Sequence, residues 1–141
     1  MTIKGDQTPT IQEEVIYRPE DQLALFDRKL INDTIVETSD GIECAPFRKF
    51  GLYCAIKFDG TADTINLHVE VEFLDRWTGQ WYTYKQGLFA ALFWEEVDTK
   101  DGIYEAFVGD VMGRAMRVKL TGIGVSAANY FTVSIGTDFW N

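Results

Sequence analysis

Polar and apolar residues alternate without a break from Ile65 to Phe73. Ile65, Leu67, Val69, Val71 and Phe73 fall on one side, and Asn66, His68, Glu70 and Glu72 on the other. Successive side chains of a strand point to opposite faces, so this segment predicts a strand with one oily and one wet face. A helix would need apolar residues three and four apart, which the segment does not offer. The chain then turns at Asp75–Gly79 and returns as the aromatic run Trp81-Tyr82-Thr83-Tyr84. Phe50, Leu52, Cys54, Ile56 and Phe58 repeat the alternation, and Asp59-Gly60 closes it with turn residues.

Shorter strands are predicted over Thr34–Thr38, Ile42–Cys44, Ile103–Val108, Arg114–Thr121 and Asn129–Ile135, with Pro46 limiting the second. Leu88–Val97 is ambiguous. Leu88, Ala91 and Leu92 have helical spacing, yet the run is short, and a loop leading into a strand over Leu92–Val97 is favoured. Ser39-Asp40-Gly41, Asp98–Gly102, Gly109–Gly113 and Gly122–Asn129 separate these pieces. About eight short strands without a convincing long helix predict an all-β, antiparallel, two-sheet sandwich of jelly-roll-like form, preferred over a closed barrel. One-sided wetting is the mark of antiparallel rather than doubly buried parallel sheets.

Residues 1–30 differ. Pro9 and Pro19 interrupt regular structure, and apolar residues gather as Ile11, Val15, Ile16 and Tyr17, then Leu23, Leu25, Phe26 and Leu30. A tail, a short helix over Asp21–Lys29, or an extended arm would each fit. Large apolar residues favour an arm docked on its own domain or on another subunit. The expected division is an arm over 1–30 and a sandwich over 31–141.

Composition narrows the function. Among 141 residues, acids outnumber bases 22 to 13 for a net charge of −9, which disfavours direct nucleic-acid binding. No run approaches the roughly 20 apolar residues of a spanning helix, so no membrane partner is expected. Met1–Val15 has no apolar signal core, so a cleaved export signal is not expected. Cys44 and Cys54 lack metal spacing and are expected as reduced, buried thiols.

Candidate chemistry is thin. The single histidine, His68, has Glu70 on its face but no nucleophile placed by any motif. Glu70 and Glu72 could form a glycosidase pair, and Glu95, Glu96, Asp98 and Asp101 could hold a hard cation. A solvated sheet face and an ordinary hairpin turn explain both groups without a ligand. No catalytic residue, metal site or cofactor is therefore expected, and the chain is not read as an enzyme.

The aromatic residues say more. Trp77 stands at a turn, where polar residues are the norm, and Tyr82 and Tyr84 share a face opposite Trp81. Exposed aromatics anchor protein interfaces or stack on sugars. Two candidate sites follow. An interface would use Ile11, Val15, Ile16, Tyr17, Leu25, Phe26, Trp77, Phe139 and Trp140. The alternative, a carbohydrate-binding module, would use Trp77, Tyr82, Tyr84 and Trp94.

The strand Leu67–Asp75, the turn and return Gly79-Gln80-Trp81, the late strand Arg114–Gly124 and the closing Phe131–Ile135 together resemble small β-sandwich proteins of tailed-phage virions. The resemblance covers roughly residues 65–136 and leaves out the N-terminal arm. Arg76-Trp77-Thr78 departs from the plain Asp-Gly turn typical of that pattern. The resemblance implies a virion structural subunit, such as a capsid decoration or cement protein or a head–tail associated one. It would bind a capsid or tail protein of the same particle and itself as a homo-oligomer, after assembly in the host cytoplasm.

Overall fold

The computed structural model describes residues 23–141. Among the described residues ten strands form two antiparallel sheets. They are β1 (Leu23–Ile31), β2 (Glu37–Thr38), β3 (Ile42–Glu43), β4 (Lys49–Asp59) and β5 (Asn66–Leu74). The series continues with β6 (Trp81–Thr83), β7 (Leu92–Glu95), β8 (Ile103–Asp110), β9 (Ala115–Ile123) and β10 (Tyr130–Trp140). Sheet one runs β1-β10-β4-β8. Sheet two runs β2-β9-β5-β6, with β3 also paired to β9 and β7 also paired to β5. The chain is an all-β two-sheet sandwich.

The alternating segments supply both inner faces. On β4, Phe50, Leu52, Cys54, Ile56 and Phe58 are all buried, and on β5 Leu67, Val69, Val71 and Phe73 face them. Phe50 meets Phe73 and Tyr84 edge-on at 5.5 and 5.7 Å between ring centroids, a favoured aromatic geometry. Strand β5 pairs along its whole length with β9. Its other edge is shared, with β7 alongside Asn66–Val69 and β6 alongside Glu72–Leu74.

Three expectations need correction. Leu23–Ile31, expected as the end of the arm, is a full edge strand of sheet one, and the rest of the expected arm lies outside the described residues. Its register slips twice, between Ala24 and Phe26 and again between Phe26 and Lys29, and Arg28 takes a φ of 51°. Each slip shifts side chains to the other face, which erases the two-residue period that marks a strand. Thr34–Thr38 in turn yields only the two residues of β2.

The ambiguous run divides. Gly87–Ala91 forms a 3-10 turn that seats Phe89 in the core, and Leu92–Glu95 is a strand. Glu96-Val97, expected to extend that strand, instead open one helical turn, α1 (Glu96–Thr99). Finally, β10 continues to Trp140, five residues beyond the expected end at Ile135, so Thr137-Asp138-Phe139 is part of the sheet.

Candidate interaction surface

The hairpin joining β5 to β6 is closed by Asp75. Its backbone N–H donates to the Gln80 carbonyl at 2.9 Å, and its carbonyl accepts from Gly79 N–H at 2.9 Å. Its Oδ2 accepts from the backbone of Trp77 at 3.1 Å and of Thr78 at 2.7 Å, and from Thr78 Oγ1 at 2.9 Å. Asp is favoured where a side chain must satisfy the amides two and three residues on. Gly79 supplies the φ of 68° that finishes the turn. These donors favour the ionised carboxylate, with the Thr78 amide contributing most, and hold Asp75 below its usual range. Tyr82 Oη donates to Thr78 Oγ1 at 3.2 Å and ties the return strand to the same turn.

The turn held in this way displays Trp77 at 88% exposure. An indole this exposed contributes no core packing, and its backbone is already fixed before any partner arrives. Tyr82 and Met112 are also exposed and line a shallow pocket of about 480 Å³ together with Asp75 and Lys85. A rigid aromatic beside an apolar recess is the arrangement of an interface anchor.

The other expected interface residues scatter. Ile11, Val15, Ile16 and Tyr17 lie outside the described residues. Leu25 and Phe26 are half-buried against the core, so they hold β1 on its own sandwich. Phe139 is a correction: it is buried, stacked at 5.9 Å on Phe47, because β10 carries it inward. Trp140, the next residue, faces outward and stays exposed.

The carbohydrate set does not converge either. Tyr84 and Trp94 are 6% and 8% exposed and belong to the core. Tyr84 spends its hydroxyl on the Asp110 backbone N–H at 3.1 Å, while Trp94 Nε1 donates to Glu105 at 3.3 Å. Neither ring offers a face to a sugar. Only Trp77 and Tyr82 of that set remain outside.

The polar candidates are structural. Glu72 was expected on a wet face, yet it is buried, with Arg117 Nε at 2.7 Å and Lys119 Nζ at 3.4 Å. Trp81 covers this group, its ring 4.2 Å from the Arg117 guanidinium carbon. Glu96 is buried too, and its Oε1 accepts from Ile65 N–H at 2.9 Å, pinning α1 to the start of β5. Among the described residues no three His, Cys, Asp or Glu side chains converge as a metal site would require. His68 is exposed and its ring lies 5.5 Å from that of Phe93. Cys44 and Cys54 are free, buried thiols, and burial pushes both up to about 12.

No protein-family model matches this chain, and no curated protein matches it. The site must therefore be read from its own chemistry.

Sequence reasoning missed Tyr104, Val108 and Leu88, all strongly exposed. A signal for Tyr104 existed in the alternation of Tyr104, Ala106 and Val108 against Ile103, Glu105 and Phe107. Both sets contain apolar residues, so the pattern does not say which one faces out.

Proposed function

We propose that this chain is a structural subunit of a tailed-phage virion, a capsid decoration or cement protein or a head–tail associated one, working through protein–protein contacts. One observation carries the reading: Trp77, fully displayed on a turn that five hydrogen bonds to Asp75 and Gln80 hold in place. The resemblance of residues 65–136 to virion sandwiches points the same way. The partner in this reading is a capsid or tail protein of the same particle, and a homo-oligomer is the form expected in it.

The strand order supports the reading at fold level. A jelly-roll winding is part of this reading, supported by sheets ordered β1-β10-β4-β8 and β2-β9-β5-β6, and jelly rolls serve in viral capsids and in lectins alike. Fold alone does not choose between these uses. The burial of Tyr84 and Trp94 removes half of the sugar-stacking set and favours the assembly role.

The test uses particles of the virus that encodes the chain. Mass spectrometry of purified particles is expected to find the protein at a fixed copy number. Particles lacking it should take up the added protein, and Trp77→Ala should weaken uptake by about thirtyfold or more, the loss expected of a buried interface tryptophan. Absence of the protein from purified particles would overturn the proposal.

A further inference from the structure

The two outer faces of the sandwich are built from different residues. Across sheet two stand long charged side chains joined in pairs, Arg117 with Glu72 and Lys119 with Glu70. Across sheet one stand small ones. Ala24, Gly136, Tyr53 and Ala106 lie side by side on its four strands, and Ser134, Ala55 and Tyr104 form the next row. Alanine and glycine are depleted in strands, and a glycine inside one often marks where another backbone comes close.

The small residues leave a groove of about 440 Å³ across the sheet. Tyr53 does not fill it, because its ring lies back along β4 over Gly51, where its hydroxyl donates to Asp138 Oδ1 at 3.1 Å. Tyr104 stands up beside the groove at 87% exposure. The two acids of the lining are engaged already, Asp27 by Arg28 at 3.1 Å and Glu105 by Trp94 Nε1 on the inner side. Shape and apolar surface are therefore what the groove offers an occupant.

The described chain begins at the rim of this groove, since Leu23 and Ala24 open β1 and line it. Shortly before them, outside the described residues, come Val15, Ile16 and Tyr17, followed by Pro19, Glu20 and Asp21. We propose that the groove seats this segment of the same chain, with Val15 and Tyr17 turned into it. Side chains two apart share a face of an extended chain, and Val, Ile and Tyr favour that conformation. Tyr17 stands six residues before Leu23, a span of up to about 20 Å. Three strand spacings from β1 to β8 come to only about 14 Å, which leaves length for a reversal. Proline and aspartate suit the turn that a reversal needs. So short a tether keeps the segment at an effective concentration on the order of millimolar, enough to fill a weak site ahead of a free partner. The inference stands apart from the assembly reading, because neither Trp77 nor its turn takes part in it.

The test is paramagnetic broadening in the full chain. Both native thiols are buried, so a nitroxide can be attached at Glu14→Cys alone, next to Val15 and on the other side of an extended chain. The amide signals of Ala55, Ser134 and Gly136 are expected to lose most of their intensity. Those of Glu70 and Lys119 on sheet two should lose far less. Val15→Asp with Tyr17→Asp, or Ala55→Lys in the groove, should restore the lost signals, since a charge cannot be buried there unpaired. Isotope-labelled chains without the nitroxide, mixed with unlabelled chains that carry it, are expected to keep full intensity. Unbroadened groove signals in the singly prepared sample would overturn the proposal, as would broadening that persists in the variants. Equal loss in the mixed sample would also overturn it, by putting a second copy's segment in the groove. None of these results bears on particle uptake, which Trp77→Ala tests.

Discussion

Arg117 shows how an outward-facing side chain becomes part of the fold. It meets Glu72 at 2.7 Å on the outer face of sheet two, beneath Trp81. A buried carboxylate that loses its nearer cation keeps only Lys119 Nζ at 3.4 Å, so Arg117→Met is expected to destabilise the protein by up to about 3 kcal/mol in urea unfolding. Changing Glu72 to Leu in the same chain should recover most of that loss, since two apolar partners leave no buried charge. At Asp75 the same logic sets a pH dependence. Its carboxyl is held below the ordinary range, so the turn is stabilised while it is ionised and loosens as pH falls through its lowered value. Protection of the Thr78 amide, measured against the intrinsic exchange rate at each pH, is expected to fall in acid, and Asp75→Ala should show the low protection already at neutral pH. The buried thiols run the opposite way. The unfolded chain ionises them near 9.0 and the folded chain only near 12, so their contribution to stability is lost as pH rises across that interval. At neutral pH neither should react with a thiol reagent until the protein is unfolded.

At the scale of elements, β1 belongs to the sandwich. It supplies Ile31 to the core and packs Leu23, Leu25 and Phe26 against it, while covering one edge of β10. Deleting residues 1–30 therefore removes a working strand and is expected to lower the midpoint of thermal unfolding by several degrees or abolish cooperative unfolding. The last strand behaves alike. Phe139 is fully buried in the core, so Phe139→Ala should cost about 3–5 kcal/mol in the urea unfolding assay. Trp140→Ala, one residue further on and exposed, should cost far less. The β5–β6 hairpin differs from both, because its tip adds nothing to the core and holds Trp77 out.

For the molecule as a whole, the two sheets present unlike outer surfaces. Sheet two carries compensated ion pairs and an aromatic tip, and sheet one a groove of about 440 Å³ floored by small residues such as Ala55 and Gly136. In the assembly role proposed above, short and irregular edge strands would leave faces and tips rather than shared sheets as the route to neighbours. The alternating segments on β4 and β5 were enough to read both inner faces, since a period of two leaves one assignment of side chains to core and solvent. Asp-Gly and Gly-rich runs gave the turns for the same local reason.

What could not be read locally was set by partners distant in sequence. Strand β1 escaped because its slips destroy the period. Glu72, Tyr84, Trp94 and Phe139 were misplaced because burial depends on what lies above a residue, and alternation reports only which side it is on. The groove shows the limit most clearly, for Tyr53, Tyr104 and Ser134 come from three strands that only the sheet order brings side by side. The sequence by itself determined an antiparallel sandwich and the unusual tryptophan at a turn, because both are local patterns. Tertiary structure alone decided which aromatics are core, that β1 belongs to the sandwich and what its surfaces can hold, because those depend on pairings such as Leu23 with Thr137, far apart in the chain.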